Sequence, residues 1–181
     1  MEQMKKSIFQ RAAEWGVPFG LYLTCAELAA IYADLFPPLN VISLALMLGS
    51  PVLAYYFQRR KFIEDDGFAD FSSLWMLGIL LFILGTVISS FIIFLVLRYL
   101  RPEFIYERTL AVIQAYREIP EMQNSEILRV LQRAVDEKML PTPIEAVFNA
   151  FWFITFGGSV SSAITALIAG RQLNRKNNIK L

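Results

Sequence analysis

Two uncharged segments of 24 residues each, at 74–97 and 147–170, most constrain what this chain can fold into. A helix needs about 20 mostly apolar residues to cross the roughly 30 Å hydrocarbon layer of a membrane, and both segments exceed that length. Two further apolar segments, at 15–35 and 39–57, are also long enough. The sequence therefore predicts an all-α, polytopic membrane protein, with four transmembrane helices in a single membrane domain.

The first of these segments, 15–35, has an alternative interpretation as a signal peptide, because basic residues precede it. A lipoprotein cleavage site would need a leucine three residues before Cys25 and a small residue directly before it. Tyr22 and Thr24 stand at those positions. No cleavage site of the A-x-A type follows at the right distance, so we interpret the segment as a retained helix.

The distribution of Lys and Arg predicts the orientation of the helices, because cytoplasmic flanks carry the excess of positive charge. Three basic residues precede the first segment, three stand at 59–61, and four follow the fourth segment, whereas the connection 36–38 has none. The run 59–61 is also expected to anchor the second helix at anionic headgroups. We expect a multi-pass protein of the bacterial inner (cytoplasmic) membrane with cytoplasmic N- and C-termini.

The third connection, 98–146, is too long for a plain loop and should have structure of its own. Pro102 suits the first turn of a helix, and Asn124 or Ser125 can cap a second one. Pro120 separates the two. We expect an extracytoplasmic two-helix insert, which either packs as a cap on its own bundle or presents a docking surface to a partner.

Composition argues against several classes of function. The chain has 181 residues and a net charge of +1, which does not favour a nucleic-acid-binding protein. It has no histidine, the most common general base and metal ligand, and its one cysteine cannot form an intrachain disulfide. Nucleotide-binding, hydrolase and zinc motifs do not occur in it. We expect a protein that is not an enzyme and has no catalytic residue, cofactor or metal.

The first segment carries an ionisable residue, and such a residue inside a membrane is a candidate site. At about 100° per residue, Gly16, Gly20, Glu27 and Asp34 share one helix face, and the glycines allow a second helix to approach closely. Glu27 is therefore predicted to point into the bundle, where hydroxyl groups of two other helices reach its depth. The predicted polar layer consists of Glu27, Ser89, Ser90 and Thr155.

Glu27 has two interpretations. In the structural one it is protonated, hydrogen-bonded and fixes the register of its helix, and in the functional one it binds a proton or a ligand. A Glu27→Gln variant that folds normally and keeps every function would exclude the second. Asp34 and Arg98, at the same outer boundary, are candidates for an ion pair.

Small residues recur every four positions along the fourth segment, and such ridges favour close packing of helices. The ridge packs either within one subunit or against a second copy or another protein. Its members are Gly158, Ser162, Ala166 and Gly170.

The charged stretch RRKFIEDDGFADFSSLWMLG, at 59–78, and YLRPEF, at 99–104, together resemble one family. The residues that carry the resemblance are Arg59 to Lys61, Gly67, Phe68, Phe71 and Gly78, and then Tyr99, Pro102 and Phe104. The chain is similar to the family catalogued as domain of unknown function 4199, small membrane proteins found mainly in Bacteroidetes. The resemblance implies four inner-membrane helices and supplies no activity or functional residue.

These observations lead to one main expectation and one alternative for function. We expect a non-catalytic integral inner-membrane protein, an accessory or scaffold subunit of an envelope complex, with lipid handling as one form of that role. The alternative is a small homo-oligomeric transporter or channel subunit with Glu27 as its intramembrane site. The expected partners are the lipid bilayer and either a second copy or another membrane protein.

Overall fold

The computed structural model describes residues 7–65, 69–123 and 125–177, and every secondary-structure element within them is helical. The predicted all-α class is confirmed. The α-helices are α1 Ile8–Ile31, α2 Pro38–Glu64, α3 Phe71–Leu95, α4 Phe104–Glu118, α5 Glu126–Asp136 and α6 Pro143–Asn177. A π-helical segment, Val96–Leu100, extends α3, and a short 3-10 turn, Pro120–Met122, precedes α5.

Within the part of the chain that the structure describes, three helical segments are long and apolar enough to cross a membrane: Pro38–Glu64, Phe71–Leu100 and Pro143–Gly170. They correspond to the second, third and fourth predicted transmembrane helices. The helix α1 is not among them, and it carries two carboxylates, Glu14 and Glu27, within its length.

The helix α1 begins earlier and ends earlier than the predicted span 15–35. It begins early because Ser7 and Gln10 form a capping box, in which each side chain accepts a hydrogen bond from the other residue's backbone N–H. It ends at Ile31, and a turn over 32–37 leads into α2. Asp34 lies in that turn, so it does not continue the face of Gly20 and Glu27 as the periodicity predicted.

The chain forms two compact units. The first unit comprises α1, α2, α3 up to Ile92, and α6 from Ala150; the second comprises 93–149. In the first unit, α1 and α2 form an antiparallel hairpin. The Tyr22 hydroxyl donates a hydrogen bond to the Leu46 carbonyl oxygen at 2.6 Å. The Ser43 hydroxyl donates one to the Ala26 carbonyl oxygen at 2.9 Å.

Aromatic rings and glycines bring the helices of the first unit together. The rings of Phe19 and Phe82 meet edge to face with centroids 4.9 Å apart, and neither is exposed by more than 2%. A Cβ atom on Gly20 would lie 2.9 Å from the Gly85 carbonyl oxygen, so only glycine allows α1 and α3 to approach this closely. A Cβ on Gly158 would likewise overlap the Phe82 ring.

The second unit contains α4 and α5. Ser125 caps α5 by accepting a hydrogen bond from the backbone N–H of Leu128 at 3.3 Å. Leu128 and Ile113 are the buried apolar residues of the two helices. Between the helices lies a groove of about 590 Å³. It is lined by Leu110, Ile113, Gln114, Arg117, Gln132, Val135 and Asp136.

Candidate functional site

The structure brings together Glu27 of α1 and Ser89 of α3, which the sequence placed in one polar layer. The Ser89 hydroxyl donates to the Glu27 carboxylate at 2.5 Å. Ser89 is fully buried and Glu27 is half-buried. Because helical side chains lean towards the N-terminus of their helix, the carboxylate reaches back from a position four residues before the end of α1.

Two more buried hydroxyls belong to α3 and α6. Phe82 of α3 packs against Gly158 of α6. Thr86 stands one turn after Phe82 on α3. Ile154 stands one turn before Gly158 on α6, and Thr155 is the next residue. Thr86 is fully buried and Thr155 is 9% exposed. Neither hydroxyl oxygen has a hydrogen-bond partner among the described residues.

Thr86 was not part of the predicted layer, although it stands three residues before Ser89. A threonine within an apolar helix is easily taken for a residue bonded to its own backbone. The signal available in the sequence was the i, i+3 spacing of Thr86 and Ser89, which places both on one side of α3.

The remaining residues predicted for the polar layer and for the outer ion pair do not contact Glu27 in any hydrogen bond that the described residues show. Ser90 is half-buried, and among the described residues no hydrogen bond joins it to Glu27. Asp34 is exposed in the turn after α1. Arg98 lies in the π-helical segment of the second unit. The ion pair between Asp34 and Arg98 stays a prediction.

A buried amide that the sequence analysis missed connects three helices of the first unit. Gln58 of α2 is fully buried, and its Nε2 donates to the Ser162 hydroxyl at 2.9 Å, to the Ser162 carbonyl oxygen at 3.1 Å and to the Leu74 carbonyl oxygen at 3.2 Å. Gly78 makes room for this contact, because a Cβ there would overlap the Ser162 hydroxyl. The predicted second helix ended at Phe57, which left Gln58 outside it.

Three members of the predicted ridge on α6 have three different surroundings. Gly158 faces an aromatic ring, and Ser162 faces a polar group. Ala166 is fully buried in a cluster with Phe62, Leu74 and Ala169.

A buried ionic cluster occupies the end of the first unit where α1 begins. The Arg11 guanidinium donates to both carboxylate oxygens of Asp65, at 2.8 and 3.1 Å. The Lys61 ammonium donates to Asp65 at 2.9 Å and to the Ser73 hydroxyl at 2.6 Å. The side chains of Arg11 and Lys61 are each 4% exposed. Lys61 is thus an internal ion-pair partner, and the expectation that it anchors α2 at lipid headgroups is wrong.

The two cations determine how Asp65 titrates. Burial by itself would raise the pKa of Asp65, but hydrogen bonds from Arg11 and Lys61, together with their positive charges, outweigh it and lower that pKa below its ordinary value. The Asp65 carboxylate therefore stays ionised at neutral pH. The cluster joins α1, the end of α2 and the start of α3.

Among the described residues, no group of three or more His, Cys, Asp or Glu side chains is arranged to hold a metal ion. In the groove of the second unit, the guanidinium of Arg117 faces the amide of Gln132. When that amide is oriented with its oxygen towards Arg117, the guanidinium donates to it at 3.0 and 3.3 Å. Two of the polar side chains that line the groove, Arg117 and Gln132, thus pair with each other.

A family model described as "Protein of unknown function (DUF4199)" matches residues 14–171, which confirms the resemblance stated from the sequence. Neither a curated protein nor a solved structure matches the chain.

Proposed function

The chain belongs to the DUF4199 family of proteins of unknown function, and from its own geometry we propose that it is a non-catalytic integral membrane protein, an accessory or scaffold subunit of an envelope complex. In this proposal it lies in the bacterial inner membrane. Lipid handling is one form that the role can take. The observation that carries the proposal is the filled interior of the first unit.

Large side chains and one buried amide fill that interior. Phe19, Leu77, Leu81 and Phe82 are each exposed by 2% or less, and Gln58 occupies the contact between α2, α3 and α6. A small-molecule site is usually a pre-formed cavity with a few convergent polar groups. A protein whose interior is packed in this way acts through its outer surfaces, which is how an accessory subunit works.

The proposal includes α1 as a fourth transmembrane helix. It is supported by the packing of α1 along its neighbours: Tyr22 and Ala26 bond with α2, and Gly20 touches α3. A helix enclosed in this way is shielded from lipid on the face that carries Glu27. The distribution of Lys and Arg supports cytoplasmic termini and an extracytoplasmic position for α4 and α5.

Native mass spectrometry after gentle extraction tests the accessory role directly. The chain would be purified from its own membrane through a C-terminal tag, next to an unrelated tagged four-helix membrane protein as a control. We expect a different membrane protein at fixed stoichiometry that the control does not retain. A monomer or a pure homo-oligomer would contradict the accessory role.

The bond between Glu27 and Ser89 favours a second candidate, a homo-oligomeric transporter or channel subunit with Glu27 as its intramembrane site. A carboxylate inside a membrane helix is costly and is often functional. Because the interior of one chain is filled, this candidate requires several copies around a shared pathway. A homo-oligomer in the same mass spectra, with ion flux into vesicles that Glu27→Gln abolishes, would support it.

A further inference from the structure

The groove between α4 and α5 has one cationic and one anionic side chain beside an apolar lining. Leu110, Ile113 and Val135 are its apolar members, and Arg117 and Asp136 are its charged ones. Its volume of about 590 Å³ lies within the range of small-molecule sites, which combine apolar walls with a few polar groups. Side chains fill the interior of the first unit, whereas this groove of the second unit has space for a ligand.

Arg117 is held in place and keeps hydrogen-bond donors for a ligand. A guanidinium has five N–H donors in a planar fork. The Gln132 amide oxygen accepts from Nη2 at 3.0 Å and from Nε at 3.3 Å, which leaves three of the five donors, including both on Nη1. Such a fork matches the paired oxygens of a phosphate. The contact with Gln132 therefore orients Arg117 and leaves its Nη1 group for a phosphate.

Asp136 supplies the opposite charge one helical turn away from Gln132. Residues four apart on a helix are neighbours, with Cβ atoms about 5–6 Å apart. Among the described residues, no ion pair joins Asp136 to Arg117 or to any other side chain. Asp136 is also the last residue of α5, where the helix dipole favours a cation. The groove thus presents two opposite charges that lie close together and do not neutralise each other.

We propose that this groove binds the headgroup of a zwitterionic phospholipid, with its phosphate on Arg117 and its ammonium on Asp136. Phosphatidylethanolamine is the probe, because its ammonium can donate hydrogen bonds to the carboxylate. A short linker separates the two charges of this headgroup, as the groove requires. The apolar lining suits the glycerol and the first carbons of the acyl chains. Phosphatidylglycerol has no cation to bind Asp136.

The connection to α6 keeps the groove within reach of lipid. Asp136 stands seven residues before Pro143, where a segment long and apolar enough to cross a membrane begins. Seven residues extend over about 25 Å at most. A lipid headgroup is therefore the ligand with the highest local concentration near Asp136.

This inference deepens lipid handling and rests on that form of the proposed role. The two tests fail separately, because the accessory role is judged by a retained partner protein and the groove by the lipid preference of the purified chain. A chain that retains a partner protein at fixed stoichiometry but has no preference for phosphatidylethanolamine would overturn this inference alone.

Native mass spectrometry of the delipidated full chain in detergent provides the test. Equal amounts of phosphatidylethanolamine and phosphatidylglycerol would be added together, and the ratio of the two lipid-bound species would be measured. We expect the unmodified chain to prefer phosphatidylethanolamine. Asp136→Asn should lower the ratio by up to about fivefold, as expected for an exposed ion pair. Asp136→Lys should reverse the preference, because the groove would then have two cations.

Glu137→Lys is the matched control. It makes the same change of charge at the next residue, which is exposed and is not part of the groove lining, and it should keep the preference for phosphatidylethanolamine. The ratio is measured within each sample, so a variant of lower stability remains informative. Equal ratios for Asp136→Lys and Glu137→Lys would overturn the proposal, and so would an unmodified chain without the preference.

Two further results would identify a different occupant. Soluble phosphoethanolamine that displaces the lipid at equal concentration would overturn a lipid as the ligand, because the apolar lining would then contribute nothing. Loss of a retained partner protein in Asp136→Lys, with an unchanged lipid ratio, would identify a protein segment as the occupant instead.

Discussion

The amide nitrogen of Gln58 donates to both the hydroxyl and the carbonyl oxygen of Ser162, at 2.9 and 3.1 Å, across 104 residues of sequence. The same nitrogen also donates to the Leu74 carbonyl oxygen of α3 at 3.2 Å, so its two N–H groups are shared among three acceptors. The opposite orientation of the amide would point its oxygen at two carbonyl oxygens, so the contacts determine which way it lies. This one side chain therefore sets the spacing of three helices.

A Gly78→Ala substitution should destabilise the first unit. The added Cβ would overlap the Ser162 hydroxyl and lie 2.6 Å from the Gln58 amide nitrogen, so α3 and α6 would have to separate. Overpacking of this kind costs about 1–3 kcal/mol. Thermal unfolding in detergent should show a lower unfolding temperature. Gly157→Ala is the control, because nothing lies within 4 Å of the Cβ it would add. Equal effects of the two variants would contradict the close contact at Gly78.

The Gln58–Ser162 interaction should appear as a coupling energy. In a double-mutant cycle of Gln58→Leu and Ser162→Ala, the two losses of unfolding free energy should be non-additive by about 0.6 kcal/mol, and at most about 1.7 kcal/mol, the range measured between membrane helices. Unfolding by SDS in mixed micelles measures it. Gln58→Leu combined with Ser161→Ala should be additive, because Ser161 bonds to Gly158 within α6. Additivity in both pairs would show that the bond contributes nothing.

Asp65→Asn should lower stability at neutral pH, by about 3 kcal/mol, because it leaves two buried cations without their carboxylate. The folded pKa of Asp65 lies below its ordinary value of 3.8, so the ionised group stabilises the folded state at every pH well above 3.8. That contribution declines as the pH falls past 3.8 and is lost below the folded pKa. The stability difference between the unmodified chain and Asp65→Asn should shrink accordingly.

Unfolding of both proteins at a series of pH values from 7 downwards measures that difference. Glu118→Gln, which changes an exposed carboxylate at the end of α4, is the control and should differ little from the unmodified chain at any pH. A difference that grows as the pH falls would contradict the ion pairs.

The proposed topology predicts which introduced cysteines a membrane-impermeant thiol reagent can reach. In a Cys25→Ala background, Arg129→Cys on α5 should be labelled in intact spheroplasts, because α5 is placed outside. Arg59→Cys, at the other side of the membrane, should be labelled only after permeabilisation. Both side chains are exposed in the structure, so burial does not decide the result. The reverse pattern would contradict the orientation inferred from Lys and Arg.

The sequence predicted the parts of this fold that depend on residues close together along the chain. Long uncharged segments indicate apolar helices directly, because hydrophobicity is a property of the segment alone. The three apolar helices lie where the sequence predicted them. The meeting of Glu27 with Ser89 followed from helical periodicity and depth alone. A local rule about polar side chains before helices gave Asn124 or Ser125 as the cap of α5. Ser125 is the cap in the structure, and Asn124 lies outside the described residues.

The parts that were missed depend on which side chains meet across helices. Gln58 and Ser162 look ordinary in sequence, and only the packing of α2 against α6 makes them partners. Arg11 and Asp65 are separated by 54 residues, and nothing in the sequence around either one indicates the other as its partner. The start of α1 was missed because its capping box lies before the apolar segment, where hydropathy carries no signal.

The buried pairing of Arg11 and Lys61 with Asp65 also bears on how this end of the protein meets different lipids. Of the basic run at 59–61, Lys61 is enclosed and Arg60 is held at 2.9 Å by Glu64, which leaves Arg59 as the most available for a headgroup phosphate. The Asp65 carboxylate is the counter-ion of the two cations within the cluster. Dissolved salt screens exposed charges but acts much less on buried ones. This end of the fold should therefore be nearly indifferent to the anionic lipid content of its bilayer, and should hold equally well in zwitterionic phosphatidylcholine.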